Sequence, residues 1–159
     1  MGCEIYDHDI NMKNAFDLGS RGTIDSNDLK LIESHKSVIY LIYDQNGLEN
    51  LHILHQFITD IITVCGYGIK FENSGVAHSK RNWLNKDFYN NTYDLLNSHT
   101  MLVSYENGYY SSGMHIFGLP DVSTEHSIDY DNATQLLTEF NHYQLFENPT
   151  FENPFGRYK

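Results

Sequence analysis

Ser37-Val-Ile-Tyr-Leu-Ile-Tyr43, then Leu48 to Cys65, then Gly68-Ile-Lys-Phe-Glu72 are the three consecutive pieces whose reading decides the fold. The first is a short apolar run rich in β-branched and aromatic residues, closed by Asp44-Gln-Asn-Gly47, and reads as a buried strand entering a turn. The second has a helical period. Leu51, Leu54, Phe57, Ile58, Ile61, Ile62 and Cys65 share one face, and His52, Gln56, Thr59, Asp60 and Thr63 the other. Gly66 stands where a C-cap glycine belongs, and Gly68 to Glu72 reads as a further strand. Strand, helix and strand in this order predict a βαβ-like unit in a mixed sheet, hence an α/β (α+β) fold.

Working outward, residues 1–36 give weak signals apart from Asp25-Ser-Asn-Asp28, which predicts a short capped helix through Leu29, Leu31 and Ile32. On the other side, Asn73-Ser-Gly75 turns the chain, and Ser79 or His78 is placed to cap a short helix carrying Trp83. Asp87 to Leu96 reads as helical, with Phe88, Leu95 and Leu96 inward. Thr100 to Tyr105 reads as a strand, Glu106-Asn-Gly108 as a hairpin turn, and Tyr109 to Phe117 as the returning strand. Alternation puts Tyr109, Ser111 and His115 on one face of it and Tyr110, Ser112 and Met114 on the other. Asp131 is placed to cap a C-terminal helix through Ala133, Leu136, Leu137, Phe140 and Tyr143, and residues 148–159, with two prolines in six residues, read as an extended tail. A chain of 159 residues fits one domain, 1–159.

The charge is unevenly placed. Of a net −11, the first 86 residues carry −3, while from Asp87 to Gly156 ten acids stand without one Lys or Arg. That field repels phosphate backbones and excludes direct nucleic-acid binding; it attracts a basic partner. No apolar run approaches the roughly 18 residues of a membrane span, so no membrane partner is expected. The N-terminus lacks a signal peptide's basic and apolar regions, and Tyr6 stands where the Met-Gly-Cys start would need Ser or Thr for acylation. Two cysteines without a disulfide framework fit a reducing compartment, so a cytoplasmic protein is expected.

Catalytic motifs are missing. There is no His-Glu-x-x-His, no Cys-x-x-Cys, no Gly-x-Ser-x-Gly, no P-loop and no Gly-x-Gly-x-x-G, so no catalytic residue, metal or cofactor is expected. Nine histidines invite a metal hypothesis, but His52 and His55 lack a third ligand nearby, and His78, His99, His115 and Asp121 are scattered over separate elements. Ser74, His78 and His115 remain candidates for a pocket, since a loop at a strand's carboxyl end is where α/β folds place ligands.

Phe71-Glu-Asn-Ser-Gly-Val-Ala-His-Ser79, Trp83 and Gly113-Met-His-Ile-Phe-Gly-Leu-Pro-Asp121 together resemble an uncharacterised bacterial family of soluble α/β domains, over residues 36–150. Members of that family are often encoded near secreted antibacterial toxins. The resemblance implies an immunity protein and carries over no catalytic residue. Charge points the same way: an acidic protein without a catalytic constellation suits an inhibitor that occludes the active site of a basic cognate toxin. Asp121, Glu125, Asp129 and Asp131, with Tyr109 and Tyr110 as anchors, are the expected partner-binding residues. The alternatives are a hydrolase built on His78, His115 and Asp121, and an adaptor or chaperone for a secreted cargo.

Overall fold

The helix at the centre, Leu48–Val64, forms where the 3.6-residue period gathers Leu51, Leu54, Ile58 and Ile62 into one stripe, and all four are buried. It ends at Cys65, whose N–H donates to the Ile61 carbonyl at 3.0 Å. A Cβ on Gly66 would stand 2.9 Å from the Ile62 backbone, so this glycine is needed for room rather than for a left-handed cap. Cys65 itself is exposed, which corrects its expected place on the apolar face: it lies one residue beyond the last helical turn.

A computed structural model describes residues 2–44, 47–125 and 128–147; the expected tail, 148–159, lies outside the described residues. In chain order the elements are β1 (Gly2–Asp7), α1 (Met12–Ser20), α2 (Ser26–Glu33), β2 (Ser37–Ile42), α3 (Leu48–Val64), β3 (Gly68–Lys70), β4 (Ala77–Ser79), α4 (Lys80–Leu84), α5 (Thr92–Asn97), β5 (Met101–Tyr105), β6 (Gly108–Ser112), β7 (Ser123–Glu125) and α6 (Tyr130–Glu147). A 3-10 turn, Met114–Phe117, joins β6 to the loop before β7. The α/β class and the order of the central unit are as the sequence implies.

The pairing differs from one mixed sheet. Among the described residues there are three small antiparallel sheets, β1-β2, β3-β4 and β5-β6-β7, and β2 does not pair with β3. The partner of β2 comes from the N-terminal segment, in the register Gly2↔Ile42 to Asp7↔Ser37. The Asn73-Ser-Gly75 turn is tight enough to return β3 directly onto Ala77–Ser79. Paired with the exposed strand β1 alone, β2 is not a buried strand. Ile39 and Ile42 are exposed.

Two apolar clusters hold these pieces. The larger joins α3 to Trp83, Leu96, Met114, Phe117 and Leu145; the smaller joins Met12 and Phe16 of α1 to Ile24, Ile32 and Ala77. Trp83 is buried in the larger cluster and its Nε1–H donates to Thr59 Oγ1 at 3.0 Å. Caps fall where side-chain chemistry directs. Asp25 accepts from the Asn27 and Asp28 amides, Ser79 from Asn82 and Asn91 from Tyr93 and Asp94. At α6 the acceptor is Asp129, bonded to the Asn132 N–H at 3.0 Å, two residues before the expected Asp131. The predicted helix from Asp87 starts only at Thr92, because Asp87 turns its carboxylate onto the Tyr89 and Asn90 amides.

The hairpin at Glu106-Asn-Gly108 is as read, but β6 stops at Ser112 instead of reaching Phe117. Gly113 has φ +120, and a Cβ there would collide with the His99 carbonyl and with Ser74. The chain breaks strand geometry at that point and coils into the 3-10 turn, whose Met114 N–H donates to Asp121 at 2.9 Å.

Candidate functional site

The three-stranded sheet has one face toward α6, where Ser111 is buried and its hydroxyl is 3.4 Å from Asn141. Its other face is open at the hairpin end, while Met101 and Ser112 at the far end meet the Asn73-Ser-Gly75 turn. Tyr105 and Tyr110 are both exposed there, their rings 5.7 Å apart, and Glu125 lies on the same face because it pairs with Gly108, itself opposite Tyr105. Glu106 occupies the turn beside them. Tyr109, expected as an anchor next to Tyr110, points to the opposite face and meets Tyr130 of α6, rings 5.7 Å apart. That contact brings the first turn of α6, with exposed Asp131, to this end of the sheet.

Of the four acids expected to bind a partner, two are engaged in holding the chain. Asp121 caps the 3-10 turn through Met114. Asp129 accepts from the backbone and side chain of Asn132, and these hydrogen bonds hold its carboxyl below the usual carboxylate range. Glu125 and Asp131 are exposed, with side chains free of any ion pair among the described residues. Among the described residues of the second half only Asp94 forms an ion pair, with Lys86 Nζ at 3.3 Å. The charge imbalance read from the sequence is therefore carried by uncompensated surface carboxylates.

The pocket candidates do not converge. His78 is buried in β4 and its Nε2–H donates to the Ser98 carbonyl at 2.9 Å; the cavity it borders is shared with Ser20, Arg21 and Lys86. Ser74 and His115 instead border an apolar cleft on the other side of the β3-β4 hairpin. Ser74 Oγ lies 3.4 Å from the Val76 N–H, a turn interaction. His78 and His115 thus border different cavities and the Asp121 carboxylate accepts from the Met114 N–H, so the three residues named for a hydrolase do not line one common cavity.

A cluster that the sequence did not single out is the buried histidine pair. His55 of α3 and His99 after α5 face each other, Nε2 to Nε2, at 3.0 Å. His99 Nδ1 is 2.9 Å from the Leu95 carbonyl, which can only accept. His99 therefore carries its proton on Nδ1 and offers the Nε2 lone pair, and His55 donates from Nε2. Phe71, Trp83, Phe88 and Phe117 surround the two rings. Burial pushes His55 and His78 down to about 4 and His99 down to about 3, so all three are neutral at pH 7. The signal was present in the sequence: Leu51, His55, Ile58 and Ile62 follow the apolar stripe, so His55 belongs to the core face rather than beside His52. Among the described residues no group of three His, Cys, Asp or Glu is placed to hold a metal ion, and no helix is long and apolar enough to cross a membrane.

No protein-family model matches the chain, nor does any curated protein or solved structure.

Proposed function

We propose that this protein acts by binding, as an immunity protein that neutralises a basic cognate toxin by covering its active site. The observation that carries the reading is the set of uncompensated, exposed carboxylates at the hairpin end of the sheet: Glu106 and Glu125 beside Tyr105 and Tyr110, with Asp131 exposed on α6, which covers the other face. A toxin acting on an anionic substrate carries Arg and Lys in its own site. Carboxylates that meet those cations steer the encounter and fix the register, while the two tyrosines supply contact area at small entropic cost. Tyr105 and Tyr110 replace the expected Tyr109 and Tyr110 as anchors, because Tyr109 is turned inward.

The test is capture of the partner from the source cell's lysate by the intact protein, followed by binding kinetics with Glu106→Gln, Glu125→Gln and Asp131→Asn combined. None of these side chains caps an element, so folding should be unchanged. The triple variant should associate at least about tenfold more slowly at low salt and with a flatter salt dependence. Failure to capture any basic protein, or a triple variant that associates like the parent, refutes the reading.

A further inference from the structure

Strands β2 and β3, joined through α3, do not pair, and both border a cleft of about 500 Å³. Its walls are unusual. Every residue of 35–41 on one side and every residue of 66–74 on the other borders the cleft. A sheet face would contribute alternate residues only, so it is the backbone edges that line it.

The edge of β3 can be identified atom by atom. Phe71 N–H donates to Val76 O and Lys80 N–H to Tyr67 O, both at 2.8 Å, so residues 67, 69 and 71 bond toward β4. Gly68 and Lys70 therefore turn their N–H and C=O groups away from β4, into the cleft. The far edge of β4 is closed, since Gly19 of α1 packs against Gly75 and Ala77.

The two strands divide their side chains between the same two clusters. Val38 of β2 packs on the smaller apolar cluster, and Leu41 and Tyr43 on the larger. Gly68 of β3 abuts Phe16 of the smaller cluster, and Ile69 and Phe71 pack on the larger. Phe16 of the smaller cluster and Ile58 of the larger both border the cleft, so a strand within it would meet apolar side chains of both clusters.

We propose that this cleft accepts a strand. A short extended segment of a partner protein, apolar at consecutive positions, inserts between β2 and β3 and joins the two ribbons into a five-stranded layer. Peptide backbone is the chemistry that satisfies two facing edges at once, and apolar side chains on both faces match the two clusters. Charge specifies the flank. The acidic and basic side chains on the cleft are Lys36, Lys70 and Glu72, apart from histidines; Lys70 is paired with Glu72 at 2.6 Å, and Lys36 has no ion pair among the described residues. In a chain of net charge −11 this is a locally cationic rim, and it selects a segment with an acid beside its apolar run. The proposal is independent of the inhibitor reading, since the cleft and the tyrosine face lie on different elements.

The probes are decapeptides with a central run of Val, Ile, Leu and Tyr flanked by Glu pairs, the same peptides flanked by Lys, versions N-methylated at alternate residues of the run, and dodecanoate. Backbone amide exchange and peptide titration are followed on the full chain. Glu-flanked peptides should bind and slow exchange at Gly68 and Lys70 by at least about tenfold, N-methylation should abolish that protection, and Lys36→Glu should reverse the preference for flanking charge. Three results overturn the proposal: no peptide in the panel protects those amides, N-methylated and parent peptides bind alike, or dodecanoate alone occupies the cleft. Protection of the same amides by a concentration-dependent dimer without peptide also overturns it, by making a second copy the occupant.

Discussion

Lowering the pH should unfold this protein through its buried histidines, and the size of the effect follows from the cluster around Trp83. In the unfolded chain His55, His78 and His99 take up protons near 6.5. In the folded protein burial delays this to about 4, about 4 and about 3. Between the two values the unfolded state holds more protons, so stability rises with pH across that window. The contribution is complete above about pH 6.5 and drains away as the pH falls toward about 4. One histidine displaced over that interval is worth about 3 kcal/mol at about 1.4 kcal/mol per unit, and three are worth up to about 10 kcal/mol. Domains of this size are stable by about 5–15 kcal/mol, so even one such histidine moves the urea midpoint measurably. The lowered carboxylates Asp25, Asp87 and Asp129 act below this window, since their ordinary value is already 3.8. Urea titrations from pH 7.5 to 4.5, followed by Trp83 fluorescence, should show a slope of about 1.4 kcal/mol per pH unit for each participating histidine. Replacing both members of the facing pair, His55→Phe with His99→Phe, avoids stranding one imidazole and should remove two of the three protons from that slope. A wild-type stability that stays level between pH 6.5 and 4.5, or a double variant with the parent slope, would refute the neutral, buried assignment.

Further outcomes follow from the packing. Leu54→Ala or Ile58→Ala should each cost about 2–5 kcal/mol in urea denaturation, because both side chains are buried in the larger cluster. Gly113→Ala should cost at least about 1–3 kcal/mol, as it forces an L residue to φ +120 and places a Cβ against the His99 carbonyl. Ser79→Ala should cost about 1 kcal/mol through the lost cap on α4, read by thermal denaturation. Both Cys3 and Cys65 should react with a maleimide in the native state, and slow modification of Cys65 that tracks global unfolding would contradict its exposure.

Local chemistry determined a good deal. The period of Leu51, Leu54, Ile58 and Ile62 fixes a helix and its buried side, since one apolar stripe has one way to leave water. The caps at Asp25 and Ser79 and the Glu106-Asn-Gly108 hairpin are set by side-chain and backbone preferences within a few residues, so they too were legible. Charge asymmetry is a property of composition, and the exposed carboxylates of the candidate face realise it. Pairing was not legible. Nothing within Ser37–Ile42 says that its partner lies at Gly2–Asp7 instead of Gly68–Lys70, because strand pairing is decided by which edges the packed helices bring together. The inward turn of Tyr109, the capping duties of Asp121 and Asp129, and the meeting of His55 with His99 across 44 residues are likewise products of tertiary contact. A side chain's role depends on what stands opposite it, and only the folded chain supplies that neighbour.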